Sequence, residues 1–144
     1  MKLNAVHGQC ISTPNEPYIE DYEPMRRKSG AILSNGSVDM LTSAVKSAGM
    51  EDVIDHLISV DPIRLFKTSP ESYELVQEAI PVNKDEVLFV SSNAWDALGA
   101  TWFCFTTHWV NRQGLPFEAL SPRPHFLGPD LNSVLVSLDS TKKF

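Results

Sequence analysis

Cysteine is scarce in this sequence. Cys10 and Cys104 are its only two, in a chain of 144 residues. That excludes a disulfide framework, and both are expected to be free thiols in a reducing compartment. Basic residues are also outnumbered. Twelve Lys+Arg stand against 18 Asp+Glu, a formal charge of −6. A general nucleic-acid binder needs a basic face, so that class is excluded. Long apolar runs are missing, and none approaches the roughly 18–20 residues of a membrane span. The opening Met1-Lys2-Leu3-Asn4-Ala5-Val6-His7-Gly8 has no apolar core of signal-peptide length. Phosphate-cradling glycine motifs and the GxSxG serine motif are absent too. These absences together point to a cytoplasmic protein with no membrane or nucleic-acid partner.

What is present is an ordinary globular composition, 42% hydrophobic and 21% charged. The length suits one domain, which can bury roughly 68–70% of its unfolded surface without a metal or disulfide. Residues 1–30 stand apart. Pro14, Pro17 and Pro24 crowd there with acidic residues, and no apolar period is visible. Prolines delete backbone donors and disfavour helix before them. An irregular N-terminal arm is therefore expected, with a short helix near 22–28.

From Ala31 onward the pattern is regular. A strand is expected at 31–33, then a helix with Leu41, Ala44, Val45 and Ala48 on one face. Ser37 suits its N-cap and Gly49 its stop. A strand at 56–60 is followed by a loop and a second helix, capped by Ser69 with Pro70 in its first turn. Tyr73, Val76 and Ile80 give that helix an inner face. The run Val87-Leu88-Phe89-Val90 reads as a strand buried on both faces. A third helix starts near Ala94, and a strand is expected at 106–110. Pro116, Pro122, Pro124 and Pro129 mark a long surface passage. A last helix, capped by Asp130, is expected to turn Leu131, Val134, Leu135 and Leu138 inward. Strands alternating with single helices are the rhythm of a parallel α/β sheet.

In such sheets ligands bind beyond the carboxyl ends of the strands. Three polar clusters fall there: Ser34-Asn35-Gly36-Ser37, the loop holding Lys67, and Ser91-Ser92-Asn93-Ala94-Trp95-Asp96. Hydroxyl and amide groups beside free helix N–H groups can hold a small anion. Lys67 adds a positive charge, and Asp96 could pair with it or orient a water. Taken singly, these residues are also a helix cap, a solvated lysine, a core tryptophan and a dipole-matched acid. Their shared edge sets a common site beside that plainer account. His7, His56, His108 and His125 are scattered without metal-ligand spacing. His108 is expected in the core, His125 in a surface loop, and Cys104 as a small buried hydrophobe. Arg26-Arg27-Lys28 reads as a solvated face.

The strings Ala31-Ile32-Leu33-Ser34-Asn35-Gly36-Ser37, Leu57-Ile58-Ser59-Val60-Asp61 with Lys67 and Tyr73, Phe89-Val90-Ser91-Ser92-Asn93-Ala94-Trp95-Asp96 and Trp109-Val110-Asn111-Arg112 resemble the type II L-2-haloacid dehalogenases. The resemblance spans about residues 25–138 and extends to the haloacid dehalogenase superfamily. It implies a Rossmann-like parallel sheet flanked by helices. It implies hydrolysis of carbon–halide bonds in L-2-haloacids through an aspartyl ester. Ser34 would hold the substrate carboxylate, while Asn35 and Trp95 would contact the departing halide. Lys67 would neutralise the nucleophilic aspartate, with Ser91 and Asn93 around it. Asp96 would position the hydrolytic water, and Tyr73 matches a family tyrosine near the lysine. Phosphate-hydrolysing relatives usually carry two acids where Ser91 stands, so the resemblance implies no metal and no cofactor. A small 2-haloacid or other small carboxylate would be the ligand, with a homodimer possible.

The sequence departs from that family at its start. Residues 1–30 hold no apolar strand and no Asp-x-x-x-Thr nucleophile motif. The helical cap that follows the first strand in the family has no counterpart here. The expectation is a partial core at 31–144, lacking the first strand and the cap, and inactive or nearly so. The alternatives are a non-catalytic fragment or remnant that binds a small anion or a partner, and a superfamily phosphatase.

Overall fold

The computed structural model describes residues 28–117, 119 and 121–140. Most of the expected N-terminal arm, its helix near 22–28, His7 and Cys10 lie outside the described residues. The chain enters β1 (Ala31–Ser34), then α1 (Val38–Ser47), β2 (His56–Ser59) and α2 (Pro70–Ala79). It continues through β3 (Leu88–Ser91), α3 (Ala94–Trp102), β4 (Thr106–Val110), β5 (Phe126–Gly128) and α4 (Asn132–Ser140).

All pairings are parallel. β1 pairs with β2 in one sheet, and β3, β4 and β5 follow in order in a second. Among the described residues no strand joins β1 to β3. The two sheets share one core, in which Ile58, Tyr73, Val76, Ala100, Phe103 and Phe105 pack with Leu33 and Phe89. Tyr73 lies at its centre, with the rings of Phe89 and Phe103 each 5.7 Å away. Aromatic pairs at such spacing add modest stability beyond their buried area.

Local chemistry explains most elements. The Ser37 hydroxyl accepts from the Met40 N–H at 3.4 Å and starts α1, and Gly49 at φ +63° ends it. Only Leu41 and Val45 are buried on α1, so Ala44 and Ala48 do not join its inner face. Ser69 and Pro70 open α2 as expected, although the Ser69 hydroxyl bonds Glu71 rather than a backbone N–H.

Four expectations are corrected. β3 is not buried on both faces, because Val90 is 37% exposed. Val90 is the register partner of His108, and α4 packs over β4 and β5 on that face. The proline-marked passage holds a strand, β5. Its three residues, set between Pro124 and Pro129, are too few to show a period. α4 turns Ser133 and Ser137 inward towards His108, leaving Leu131 and Leu135 exposed, the latter at 61%. The polar ring at position 108 takes hydroxyl partners in preference to leucines. Cys104 is half-buried in the turn after α3 at φ +75°, and it is disulfide-bonded rather than a free thiol. No helix among the described residues is long and apolar enough to cross a membrane.

Candidate active site

The three polar clusters meet at the carboxyl ends of β1 and β3. Lys67 is the link. It leaves the loop between β2 and α2, and its Nζ donates to the Leu33 carbonyl at 3.1 Å and to Asp96 Oδ2 at 2.8 Å. One contact is on the first sheet and the other is on α3, which packs on the second. The ammonium also lies 5.6 Å from the centre of the Phe89 ring.

Asp96 sits in the first turn of α3 and is buried. Both of its oxygens are engaged. Oδ2 takes the Lys67 ammonium and the Ser91 hydroxyl at 2.9 Å. Oδ1 takes the Tyr73 hydroxyl at 3.0 Å. A buried carboxylate is tolerated only with such pairing. Tyr73 is fully buried, and burial, then the Asp96 charge, pushes its phenol well above the usual range. The phenol therefore keeps its proton and donates it to Asp96. Expected among substrate-binding residues, Tyr73 stands behind Asp96 instead, without access to solvent.

The remaining residues frame the opening. Ser34 Oγ accepts from the Gly36 N–H at 3.0 Å, which leaves its own proton to donate. Asn35 Oδ1 accepts from the Lys67 backbone N–H at 2.9 Å. Ser91 Oγ accepts from the Asn93 N–H at 3.2 Å, and the Asn93 side chain is exposed. Trp95 is 44% exposed at the start of α3. The structure thus brings Lys67, Asp96, Ser91, Tyr73 and Asn35 into one hydrogen-bonded group. Asn93 joins it through its backbone N–H alone, and Ser34 and Trp95 stand beside it.

Two supporting residues were not visible in the sequence pattern. The buried Ser59 donates to the Gly36 carbonyl at 2.7 Å and accepts from the Asp61 N–H at 3.1 Å, which ties the loop after β1 to β2. Gly99 lets α3 approach the site closely. A Cβ there would lie 2.6 Å from the Tyr73 hydroxyl and 2.7 Å from Thr68. A hydroxyl at the end of the neighbouring strand and a glycine inside a helix were the available signals. Among the described residues, no group of three His, Cys, Asp or Glu could hold a metal ion.

The family model of the haloacid dehalogenase-like hydrolases matches residues 25–103. The chain belongs to this family. Among curated haloacid dehalogenase-family relatives, an (S)-2-haloacid dehalogenase of Pseudomonas sp. (strain YL) is 45% identical over 73% of this chain and 45% of its own length. A solved L-2-haloacid dehalogenase superposes with a TM-score of 0.74 at 51% identity, over 76% of this chain and 48% of its own. Another, from Xanthobacter autotrophicus with chloropropionic acid covalently bound, gives 0.73 at 36% identity, over 78% of this chain and 56% of its own. The chain spans about half the length of the curated relatives it matches. As a haloacid dehalogenase-like hydrolase, it carries the family's parallel α/β core.

Proposed function

We propose that this chain is the core of a hydrolase that removes halide from small L-2-haloacids. The observation that supports this best is the buried Lys67–Asp96 pair at the strand ends, with Ser91 and Tyr73 completing the carboxylate. In this proposal Ser34 donates its hydroxyl to the substrate carboxylate. Asn35 and Trp95 receive the departing halide. Lys67 has one N–H left after Leu33 and Asp96, and that proton faces a carboxylate nucleophile. The nucleophile oxygen attacks C2, the carbon–halide bond breaks, and halide leaves with the bonding pair. Water, held near Asp96 and Asn93, then attacks the ester carbonyl. The ester's acyl–oxygen bond breaks, one water proton passes to the departing alkoxide and the other to solvent, and the 2-hydroxy acid leaves as the carboxylate is restored.

Asp96 cannot itself be that nucleophile, because both its oxygens are bound within the core. The 144 residues contain no Asp-x-x-x-Thr elsewhere. We therefore expect this polypeptide, assayed alone, to bind the product-like L-lactate and to release little halide. Ion chromatography of chloride released from L-2-chloropropionate tests the second point. Sustained turnover would overturn it. Chemical-shift perturbation by L-lactate at Ser34, Asn35 and Trp95 tests the first, and no shift there would sink the assignment of the site.

We also infer a homodimer, from the exposed Leu127, Leu131, Leu135 and Val136 around α4. Light scattering on the purified chain checks it, and a monomer mass would refute it. A cytoplasmic setting rests on composition, and the Cys104 disulfide weighs against it. A thiol count on freshly purified protein decides: two reactive thiols support that setting, and none excludes it.

A further inference from the structure

The geometry points to Asn35 as a positioning residue for Lys67, acting through the Lys67 backbone. The β1 segment grips this lysine at two points. The Leu33 carbonyl holds the ammonium at 3.1 Å, and two residues on, the Asn35 side chain holds the backbone N–H at 2.9 Å. A lysine stem is four flexible carbons, so fixing the head alone leaves the loop free to move. Fixing the backbone sets where the stem begins.

Where the loop begins, the Val60 N–H bonds the Ser34 carbonyl at 3.1 Å, but the ties nearer Lys67 lead elsewhere. The Ser72 hydroxyl bonds the Leu65 carbonyl at 2.7 Å, and the Ser69 N–H bonds the Phe66 carbonyl at 2.9 Å. Both belong to the start of α2. Among the described residues, Asn35 is the side chain that ties the loop backbone to β1.

The same bond orients the amide. A backbone N–H only donates, so the atom facing it is Oδ1, and Nδ2 faces away. Among the described residues no buried side-chain nitrogen or oxygen lacks a partner, so Nδ2 reaches solvent. Asn35 therefore presents only donors to the opening, the polarity an anion requires. One amide holds the lysine loop by its oxygen and offers the opening its nitrogen. Occupancy by an anion and placement of the cation are thereby mechanically linked. This deepens the reading above, since Lys67 is its cation, but the bond can be tested without turnover.

The two halves of the amide separate in two variants of the full chain. Asn35→Ala removes both acceptor and donor. Asn35→Asp keeps an acceptor for the Lys67 N–H and loses the donor. Hydrogen exchange of the Lys67 amide, read by NMR, should speed up about five- to tenfold in Asn35→Ala, the loss of one net hydrogen bond. It should stay near the parent rate in Asn35→Asp. Exchange at Phe105 and Val110 reports whether the core is intact. Chloride titration forms the second arm, and both variants should lose the chloride-induced shifts at residues 34–36. Unchanged Lys67 exchange in Asn35→Ala with a protected core would overturn the proposal. So would fast Lys67 exchange in Asn35→Asp, which stands as the test if Asn35→Ala does not fold. If the exchange pattern holds but chloride shifts nothing in the parent chain, the positioning role survives and the halide reading fails.

Discussion

Two of the buried polar clusters among the described residues have opposite hydrogen bonding. One is Lys67 with Asp96, Ser91 and Tyr73, at the carboxyl ends of β1 and β3. The other is His108 on β4, clamped under α4. Its Nδ1 lies 2.7 Å from Ser137 Oγ and its Nε2 lies 3.1 Å from Ser133 Oγ. Ser133 Oγ donates to the Asp130 carbonyl and Ser137 Oγ to the Ser133 carbonyl, so each ring nitrogen faces a hydroxyl tied to the backbone around α4. Burial pushes the histidine's pKa below the usual 6.5, which favours the neutral ring. That cluster spends both ring nitrogens on fastening one helix. The lysine cluster is charged and keeps donors unspent at Lys67, Asn35 and Ser34. Burial of polar groups alone does not mark a site. Leftover hydrogen-bonding capacity at an opening does.

Each cluster is also backed by a glycine. A Cβ on Gly99 would meet Tyr73 at 2.6 Å, and one on Gly128 would run into Ser133 Oγ. Both positions trade backbone freedom for close approach.

The comparison can be broken in several ways. Asp96→Ala leaves the Lys67 ammonium largely buried without its carboxylate, and urea unfolding should show a loss of about 3–5 kcal/mol. A loss no larger than that of His108→Gln would mean that the two clusters do not differ as described. Gly99→Ala and Gly128→Ala should each cost about 1–3 kcal/mol by overpacking. NMR should show Gly99→Ala moving the resonances of Lys67 and Asp96, and Gly128→Ala leaving them in place. Shared shifts would erase the boundary between the clusters.

A pH series sharpens the contrast further. His108 has a folded pKa below its unfolded value, so the unfolded chain binds the extra proton first. Its contribution to stability is complete above about 6.5 and is lost as pH falls through the folded value. The thermal midpoint should drop through that window, and His108→Gln should flatten the drop. An unchanged slope would show that the ring is not held neutral. The smallest effect expected is Ser137→Ala, about 1 kcal/mol for one hydrogen bond to the ring. Chemical denaturation measures it, and a cost above that of Gly128→Ala would reverse the ranking.

Much of the site was legible because its residues fall at punctuation points. Ser34 and Asn35 leave a strand, Ser91 leaves another, and Asp96 falls in a first turn, positions that a single sequence displays. Tyr73 was legible as an inner-face residue, but the end of its side chain was not. Its hydroxyl meets Asp96 only because Gly99 admits it. β5 escaped because three residues show no alternation. The inward face of α4 was misjudged because its leucines obey helical spacing, whereas His108, distant in sequence, selects the serines.

By itself the sequence determined the order of strands and helices apart from β5, the acidic charge balance, and the end of the sheet where polar groups gather. Those follow from local periodicity, capping and composition, which act over a few residues. Only the tertiary structure decided that Lys67 ties one sheet to α3 on the other, that both Asp96 oxygens are engaged, and that Cys104 is not a free thiol. Apart from Ser91 with Asp96, the hydrogen bonds among them join residues 23 to 34 positions apart. Packing sets such distances, and no local rule reaches that far.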